Sequence, residues 1–334
     1  MFNIAVVGAT GNVGREMLKI LASRKFPVNR VFAIASKKSE GKKISFGDET
    51  LQVEVLDDFD FSQADIALFS PGAMVSSKYA PIAAKHCVVI DNTSFFRMHE
   101  DVPLIVPEVN GKSLVDYKQR NIIANPNCAV AQLVVALKPL HDFATIKRIV
   151  VTTFQSVSGA GKDAMDELYD QTKGKYMNQS REPKAFKRQI AFNIIPQIGD
   201  FESNGYTSEE IKIMEEIKKI LGQEIEVTAT AVRVPVFLGH SESINVEFAK
   251  PITAAKAREI LKKAPGVEVM DNTKLETFAT PIDVAGEDEV FVSRLREDNS
   301  VKNALNLWVV SDNLRKGAAL NAVQIAEELI SNYL

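Results

Sequence analysis

The chain has 334 residues, 46% of them hydrophobic and 25% charged, with a formal net charge of −3. The composition is typical of a globular protein, and a chain of this length is expected to form more than one domain. The negative net charge excludes a strongly basic surface for nucleic acid or anionic membranes. Its two cysteines are too few for a secreted scaffold held by disulfides. The start does not resemble an export signal and no apolar stretch is long enough to span a membrane, so we expect a cytoplasmic protein with small-molecule partners.

The first predicted strand, residues 4–7, runs directly into a glycine-rich turn and then into a helical pattern that ends near residue 21. The glycines are Gly8, Gly11 and Gly14, and Thr10 stands where a G-x-G-x-x-G motif has its second glycine. A strand, a glycine turn and a helix in this order let backbone N–H groups approach a pyrophosphate. A tight connection without a ligand is the alternative, but the position at the start of the chain favours dinucleotide binding.

The second predicted strand, residues 31–35, ends in Ser36, Lys37, Lys38 and Ser39. A domain that binds NAD usually carries an acidic residue here for the ribose 2′-hydroxyl. Two cations and two hydroxyls suit a 2′-phosphate instead, so we predict NADP as the cofactor. The alternative is that the lysine pair belongs only to a solvated turn.

Two further strands, residues 66–69 and 88–90, flank a helical stretch at 76–84. This alternation predicts an α/β fold with a doubly wound, Rossmann-like parallel sheet. Ligands of such sheets bind beyond the carboxyl ends of the strands. By position alone, the residues that follow these strands are candidates for the binding cleft: Ser70, Gly72, Asn92 and Ser94.

Cys128 ends the segment Asn-Pro-Asn-Cys and precedes an apolar run, residues 129–137, that predicts a buried helix. At a helix N-terminus the dipole and the unpaired N–H groups favour thiolate, which makes a cysteine nucleophilic. On spacing alone, a small core residue is the more common role for a free cysteine. Cys87 lies in the strand-like run 87–90, and we expect it only to pack.

The second half of the chain, from Ile149, has long alternating strands such as 225–231 and 243–248, with helices near 208–221 and 254–264. It predicts an α+β catalytic and dimerisation domain with a mixed sheet. We place the dinucleotide domain at 1–127, completed by a C-terminal helical segment at 314–334, and the catalytic domain at 128–313. In the catalytic domain, Arg233 and His240 stand near the ends of consecutive strands. The histidines of the chain do not show a metal-ligand spacing, so we expect no metal site.

His240 is the kind of residue that a nucleophilic cysteine needs as a proton partner, although a loop histidine alone is more often a surface group. Eight blocks of sequence extend this pattern across the chain. They are GATGNVG at 8–14, DNTSFFR at 91–97, VPEVN at 106–110, NPNC at 125–128, QSVSGAG at 155–161, RVPV at 233–236, GHSE at 239–242 and WVVSDNLRKGAA at 308–319. In these blocks and their order, the chain resembles the bacterial aspartate-β-semialdehyde dehydrogenase family.

The resemblance implies NADP-dependent interconversion of L-aspartyl 4-phosphate and L-aspartate 4-semialdehyde, on the route to lysine, threonine, methionine and diaminopimelate. It implies that Cys128 carries an acyl thioester, that His240 is the acid/base and that Gln155 orients the thiol and substrate. It assigns the substrate carboxylate to Arg233, the ammonium to Glu209 and the phosphate to Lys212 and Arg97. Without the family, Glu209 and Lys212 would be an ordinary surface ion pair.

For the cofactor, the resemblance and the strand positions together assign residues in three groups. The dinucleotide phosphates meet Gly8, Thr10, Gly11, Asn12 and Val13, the 2′-phosphate meets Ser36, Lys38 and Ser39, and the cleft or nicotinamide region includes Ser70, Ser158, Gly159 and Asn313. The family also implies a homodimer. The alternatives are an N-acetyl-γ-glutamyl-phosphate reductase, which would need no carboxylate such as Glu209, and a non-catalytic NADP-binding regulator, which would have no reason to keep the catalytic set.

Overall fold

A computed structural model describes residues 1–179 and 181–334, and the chain divides into two compact units. The first unit comprises Met1–Asn127 and Ala318–Leu334, and the second comprises Cys128–Gly317. The chain therefore re-enters the first unit at Ala318, and not at 314 as the sequence suggested. Residues just before this point stay in the second unit because the backbone N–H of Leu314 donates to the Asp312 carboxylate at 2.8 Å and Nε of Arg315 donates to the Asp288 carboxylate at 2.9 Å.

The first unit is built on a largely parallel sheet. Its strands in the described part of the chain are β1 (Phe2–Val7), β2 (Val28–Ala35), β3 (Lys43–Phe46), β4 (Glu49–Val55), β5 (Ile66–Phe69), β6 (Val88–Asp91) and β7 (Ile122–Ala124). They lie in the order β3-β4-β2-β1-β5-β6-β7, with β3 antiparallel to β4 and the other pairs parallel. The central strands are apolar on both faces, as a doubly covered parallel sheet requires.

Helices α1 (Asn12–Ser23), α2 (Ala73–Ala83) and α3 (Pro107–Asn110) connect these strands. The α1 helix buries Met17, Leu18 and Leu21 in the core of this unit. The strand order reverses at β1, whose neighbours are β2 and β5, and this is the switch point at which ligands bind in such sheets. The predicted doubly wound α/β fold is confirmed.

The second unit is built on a mixed sheet. Its strands in the described residues are β8 (Ile146–Gln155), β9 (Glu226–Arg233), β10 (His240–Phe248), β11 (Val267–Val269), β12 (Val290–Glu297) and β13 (Ala304–Ser311). The order is β11-β12-β13-β10-β8-β9, parallel at β11 with β12 and at β8 with β9, and antiparallel elsewhere. The predicted mixed sheet is confirmed.

The helices of this unit are α4 (Cys128–Ala144), α5 (Lys162–Tyr176), α6 (Ser208–Leu221), α7 (Ala254–Leu261) and α8 (Pro281–Val284). The apolar α4 packs on the sheet at β8, β10, β12 and β13. Sequence reasoning missed α5. Its buried face includes Glu167, Gln171 and Gly174 beside Ala164 and Leu168, so polar residues interrupt the apolar periodicity that predicts a helix.

The chain then passes through a π-helical turn at Arg315–Ala319 and ends with α9 (Leu320–Asn332) in the first unit. Here α9 packs on α1, and Arg24 at the end of α1 forms an ion pair with Glu327 at 2.8 Å. Among the described residues, no helix combines the length and the apolar character that a membrane span requires.

Candidate active site

Cys128 is the first residue of α4 and is half-buried. Its Sγ lies 3.2 Å from Nε2 of His240, the first residue of β10. The sequence placed a nucleophilic cysteine at a helix N-terminus, and the structure has α4 begin at this residue. The helix dipole and the imidazole therefore both act on the same sulfur.

The orientation of His240 determines which ring nitrogen carries its proton. The backbone N–H of Ser156 donates to Nδ1 at 3.0 Å, and a backbone N–H can only donate. We therefore assign the ring proton of the neutral imidazole to Nε2, where it points at Sγ of Cys128. His240 is fully buried, and burial, with a smaller contribution from the positive charge of Arg233, holds its pKa well below 6.5.

Arg233 and Gln155 end two neighbouring parallel strands and are paired in register. Arg233 is 5% exposed and donates from Nη1 to the Ser156 carbonyl at 2.6 Å. Burial lowers the pKa of its guanidinium, while Cys128 and Glu209 raise it, so both acidic groups act on the same cation. The parallel register of β8 and β9 thus brings Gln155 and Arg233 to one edge of the sheet.

Glu209, in the first turn of α6, is connected to this cluster. Its carboxylate accepts from Nε2 of Gln155 at 3.3 Å and lies 3.7 Å from Nζ of Lys212. The Glu209 side chain is only 12% exposed, whereas that of Lys212 is 39% exposed. Glu209 is therefore shielded from solvent to a greater extent than its partner Lys212.

Ser156, Ser158 and Asn313 form a buried polar group beside His240, and Gly159 follows at the exposed surface. The Asn313 carbonyl oxygen accepts from the Ser156 and Ser158 hydroxyls at 3.0 and 3.2 Å. A Cβ placed on Gly159 would lie 3.3 Å from both the His240 ring and the Arg233 guanidinium. A larger residue at 159 would therefore crowd both the His240 imidazole and the Arg233 guanidinium.

In the first unit, the turn between β1 and α1 holds Gly8, Thr10 and Gly11, and Asn12 and Val13 are the first residues of α1. Gly8 has φ +88°, and a Cβ there would come within 2.8 Å of the Ser70 carbonyl group. Ser70 follows β5 and donates to the Val7 carbonyl through its backbone N–H at 2.8 Å. The turn and the end of β5 are therefore adjacent, as the strand positions predicted.

The predicted 2′-phosphate residues lie in a 3₁₀ turn, Lys37–Ser39, that follows β2. Ser36 and Lys38 are exposed, whereas Ser39 is buried and accepts a hydrogen bond from Nζ of Lys42 at 3.4 Å. Lys42, which the sequence prediction did not include, lies beside this turn because its backbone N–H donates to the Ser39 carbonyl at 3.2 Å.

Arg97, predicted to bind phosphate, is 8% exposed in the first unit. It donates to the backbone carbonyls of Asn125 and Asn92, at 2.8 Å each. These contacts fix the loop that leads to Cys128. Across residues 1–179 and 181–334, no cluster of three or more His, Cys, Asp or Glu side chains is arranged to hold a metal ion.

Sequence reasoning also missed the part played by Ser156, whose N–H orients His240. It lies within a matched sequence block, but its contribution is made by the backbone, which leaves no signature in residue type.

Family models and full-length relatives all match this chain to semialdehyde dehydrogenases. Residues 3–117 match the family model "Semialdehyde dehydrogenase, NAD binding domain", and residues 137–316 match "Semialdehyde dehydrogenase, dimerisation domain". The chain is 57% identical to an aspartate-semialdehyde dehydrogenase of Rickettsia bellii, covering 100% of this chain and 99% of that protein.

Two solved structures are similar as well. The crystal structure of aspartate semialdehyde dehydrogenase II complexed with ASA from Vibrio cholerae has a TM-score of 0.98 and 50% identity, covering 100% of this chain and 99% of that one. An aspartate semialdehyde dehydrogenase with NADP from Candida albicans has a TM-score of 0.77 and 27% identity, covering 99% and 98%. The chain belongs to the aspartate-semialdehyde dehydrogenase family.

Proposed function

We propose that this chain catalyses the phosphate-dependent, NADP-linked interconversion of L-aspartate 4-semialdehyde and L-aspartyl 4-phosphate through a thioester on Cys128. The observation that carries the proposal is the 3.2 Å contact between Sγ of Cys128 and Nε2 of His240, with Nδ1 already accepting the Ser156 N–H. The full-length relatives named for this activity support it.

Nucleophilic attack requires the thiolate of Cys128, and three features favour it. They are the start of α4, the Nε2–H of His240 directed at the sulfur and the buried charge of Arg233. In the reductive direction, the thiolate attacks C4 of the acyl phosphate. The C–O bond to phosphate breaks, the acyl group remains on sulfur as a thioester, and the released phosphate takes a proton from solvent.

When bound, the reduced nicotinamide cofactor supplies a hydride to the thioester carbon. The Nε2–H of His240 donates a hydrogen bond to the negatively charged oxygen of the resulting tetrahedral adduct and stabilises that charge. As the C=O bond of the aldehyde re-forms, the C–S bond breaks and its electron pair leaves with Cys128 as a thiolate, while the proton stays on Nε2. Each group thus ends the cycle in its starting state, and His240 needs no second ring proton.

The residues of the first unit fit a dinucleotide. Gly8 leaves no Cβ in the turn between β1 and α1, and Gly14 cannot carry one because it would lie 2.3 Å from the Gly8 carbonyl oxygen. These close approaches leave backbone N–H groups accessible at the start of α1. We assign NADP, and not NAD, on the exposed cations Lys38 and Lys42 and the absence of an acidic side chain at the end of β2, residues 36–39.

The substrate contacts follow from charge. Arg233 suits the α-carboxylate because its planar guanidinium binds such groups with two hydrogen bonds. Glu209 suits the α-ammonium, and Lys212 and Arg97 suit phosphate. A homodimer formed through the second unit and a cytoplasmic location complete the proposal; the matched dimerisation-domain model supports the former.

The test is a steady-state assay with aspartate semialdehyde, phosphate and NADP, followed at the absorbance band of reduced nicotinamide. We expect turnover that requires phosphate and disappears in Cys128→Ala, while that variant still binds NADPH. Turnover only with the N-acetyl-γ-glutamate semialdehyde would identify the reductase alternative. Binding of NADPH without turnover of either aldehyde would identify a regulator.

A further inference from the structure

The segment 312–317, which follows β13, is fixed at its start by buried side chains. Asp312 and Asn313 are 4% and 2% exposed. The Asp312 carboxylate accepts from the N–H groups of Leu314 at 2.8 Å and of Gly286 at 2.8 Å. One carboxylate therefore holds both its own turn and a neighbouring loop, so the start of the segment has little freedom.

Asn313 connects this segment to the catalytic imidazole. Its carbonyl oxygen accepts from the N–H of Gly239 at 2.9 Å and from the hydroxyl of Ser156 at 3.0 Å. Gly239 directly precedes His240, and the N–H of Ser156 orients the His240 ring. Asn313 thus contacts both residues that determine where His240 stands.

Gly317, at the other end of the segment, lies against the nucleophile. A Cβ added to Gly317 would be 2.9 Å from Cβ of Cys128 and 3.2 Å from its Cα. These atoms are the base of the Cys128 side chain and its backbone, so they cannot rotate away as the end of a flexible side chain would. Only glycine lets the segment pass this close.

The path between the two ends is unusual. The backbone N–H of Gly317 donates to the Asp312 carbonyl at 3.4 Å, five residues back, within the π-helical turn Arg315–Ala319. Such turns are uncommon and are frequent at functional sites. Here the π-helical turn connects Asn313, which lies beside His240, to Gly317, which lies against Cys128.

We propose that segment 312–317 positions Cys128 relative to His240, with Asn313 acting at the imidazole and Gly317 as the positioning residue at the nucleophile. The segment fixes the separation of Sγ and Nε2 from both sides, and this separation determines how strongly the imidazole stabilises the thiolate. The inference rests on the proposed function only where turnover is measured, because thiol reactivity requires no substrate.

The experiment compares Gly317→Ala with Gly111→Ala. Gly111 is the matched control because a Cβ there meets nothing within 4 Å. The reactivity of Cys128 is measured as the rate of alkylation by iodoacetamide over a range of pH. Burial raises the pKa of Cys87 to about 12, so the only other cysteine of the chain does not interfere.

We expect Gly317→Ala to move the alkylation midpoint to higher pH, because a displaced sulfur loses its donor. Turnover should fall roughly 100-fold, as small misplacements of reacting groups do, with the KM values for NADP and phosphate little changed. Gly111→Ala should match the wild type in every measurement. A Gly317→Ala protein with the wild-type alkylation profile would overturn the proposal.

A second variant, Asp312→Asn, serves if Gly317→Ala does not fold. It keeps the size of the side chain but removes one of the oxygens that accept backbone N–H groups, so the segment loosens without a clash. We expect a smaller shift of the alkylation midpoint in the same direction, and an unchanged midpoint would count against the segment. A shifted midpoint in a chain that does not oxidise aspartate semialdehyde would retain this inference and reject the proposed function.

Discussion

At the scale of residues, the pair Cys128 and His240 differs from a nucleophile with a separate general base. A base must accept the proton of the thiol, but Nδ1 of His240 already accepts from Ser156 and the ring proton lies on Nε2. The imidazole therefore acts first as a donor, to sulfur and then to the substrate oxygen. In the proposed mechanism the imidazole stays neutral, so no carboxylate is needed to stabilise an imidazolium.

This account predicts how His240 titrates. Its pKa is lowered by burial and by Arg233, so the imidazole should stay neutral as the pH falls through 6.5, the ordinary value for histidine. The measurement is an NMR titration of the free enzyme, with the His240 signals assigned by comparison with His240→Asn. A His240 signal that titrates near 6.5 would show that the imidazole is solvated, and the donor role would fail.

A second buried group, Glu242, predicts a pH dependence of stability. It is fully buried on β10, and neither carboxyl oxygen has a hydrogen-bond partner among the described residues. Burial raises its pKa well above 4.5, and the nearby Gln132 amide offsets this only in part. Above pH 4.5 the unfolded chain loses this proton while the folded chain keeps it, so the free energy of unfolding falls as the pH rises.

Glu242→Gln keeps the shape and removes the titration. Its stability relative to the wild type should therefore increase as the pH rises above 4.5, as measured by denaturant unfolding at several pH values. Glu247→Gln, on the same strand but paired with Arg148 near the surface, is the control and should show no such trend. Parallel curves for Glu242→Gln and the wild type would mean that the buried carboxyl is not held neutral.

At the scale of elements, the sequence predicted best where periodicity and capping agree. The α6 helix was predicted near 208–221 and is observed at those bounds, where Thr207 and Glu210 form a capping box and Ile213, Ile217 and Ile220 share a buried face. The missed α5 has no such signal. Residue types also indicated Cys128, His240 and Arg233, whereas the contacts made by the Ser156 backbone and by Gly317 depend on tertiary placement.

The cap of α6 gives a prediction at this scale. Thr207→Ala should cost about 1 kcal/mol of stability and should also raise the KM for the semialdehyde, because fraying of the first turn displaces Glu209. Thr253→Ala removes the equivalent cap of α7, which carries no site residue. Both variants should unfold at a lower denaturant concentration than the wild type. If the two variants had the same KM for the semialdehyde, Glu209 would not contribute to substrate binding.

At the scale of the whole molecule, the chain divides its chemistry between two units. The glycine turn and the lysines after β2 lie in the first unit, and the thiol, imidazole and guanidinium lie in the second. Chain length and the change from an alternating βα pattern to a strand-rich pattern predicted two domains. The point of return at Ala318 was not predictable, because it depends on the tertiary contacts of Leu314 with Asp312 and of Arg315 with Asp288.

Cofactor choice tests the first unit separately. Lys38→Ala should lower kcat/KM for NADP by about tenfold, or about 1.4 kcal/mol, while leaving kcat/KM for NAD unchanged, because only the 2′-phosphate is lost as a partner. Lys19→Ala, an exposed lysine of α1 that pairs with Glu16, is the control. Equal losses with the two dinucleotides would show that Lys38 does not distinguish them.

The central claim is that an acyl group passes through Cys128, and one measurement tests it most directly. Enzyme is mixed rapidly with aspartate semialdehyde and NADP in the absence of phosphate, and reduced nicotinamide and the mass of the Cys128 peptide are followed together. We predict a burst of about one NADPH per active site, with an aspartyl adduct on Cys128 that phosphate releases. A burst without the adduct, or the same burst in Cys128→Ala, would contradict the thioester mechanism.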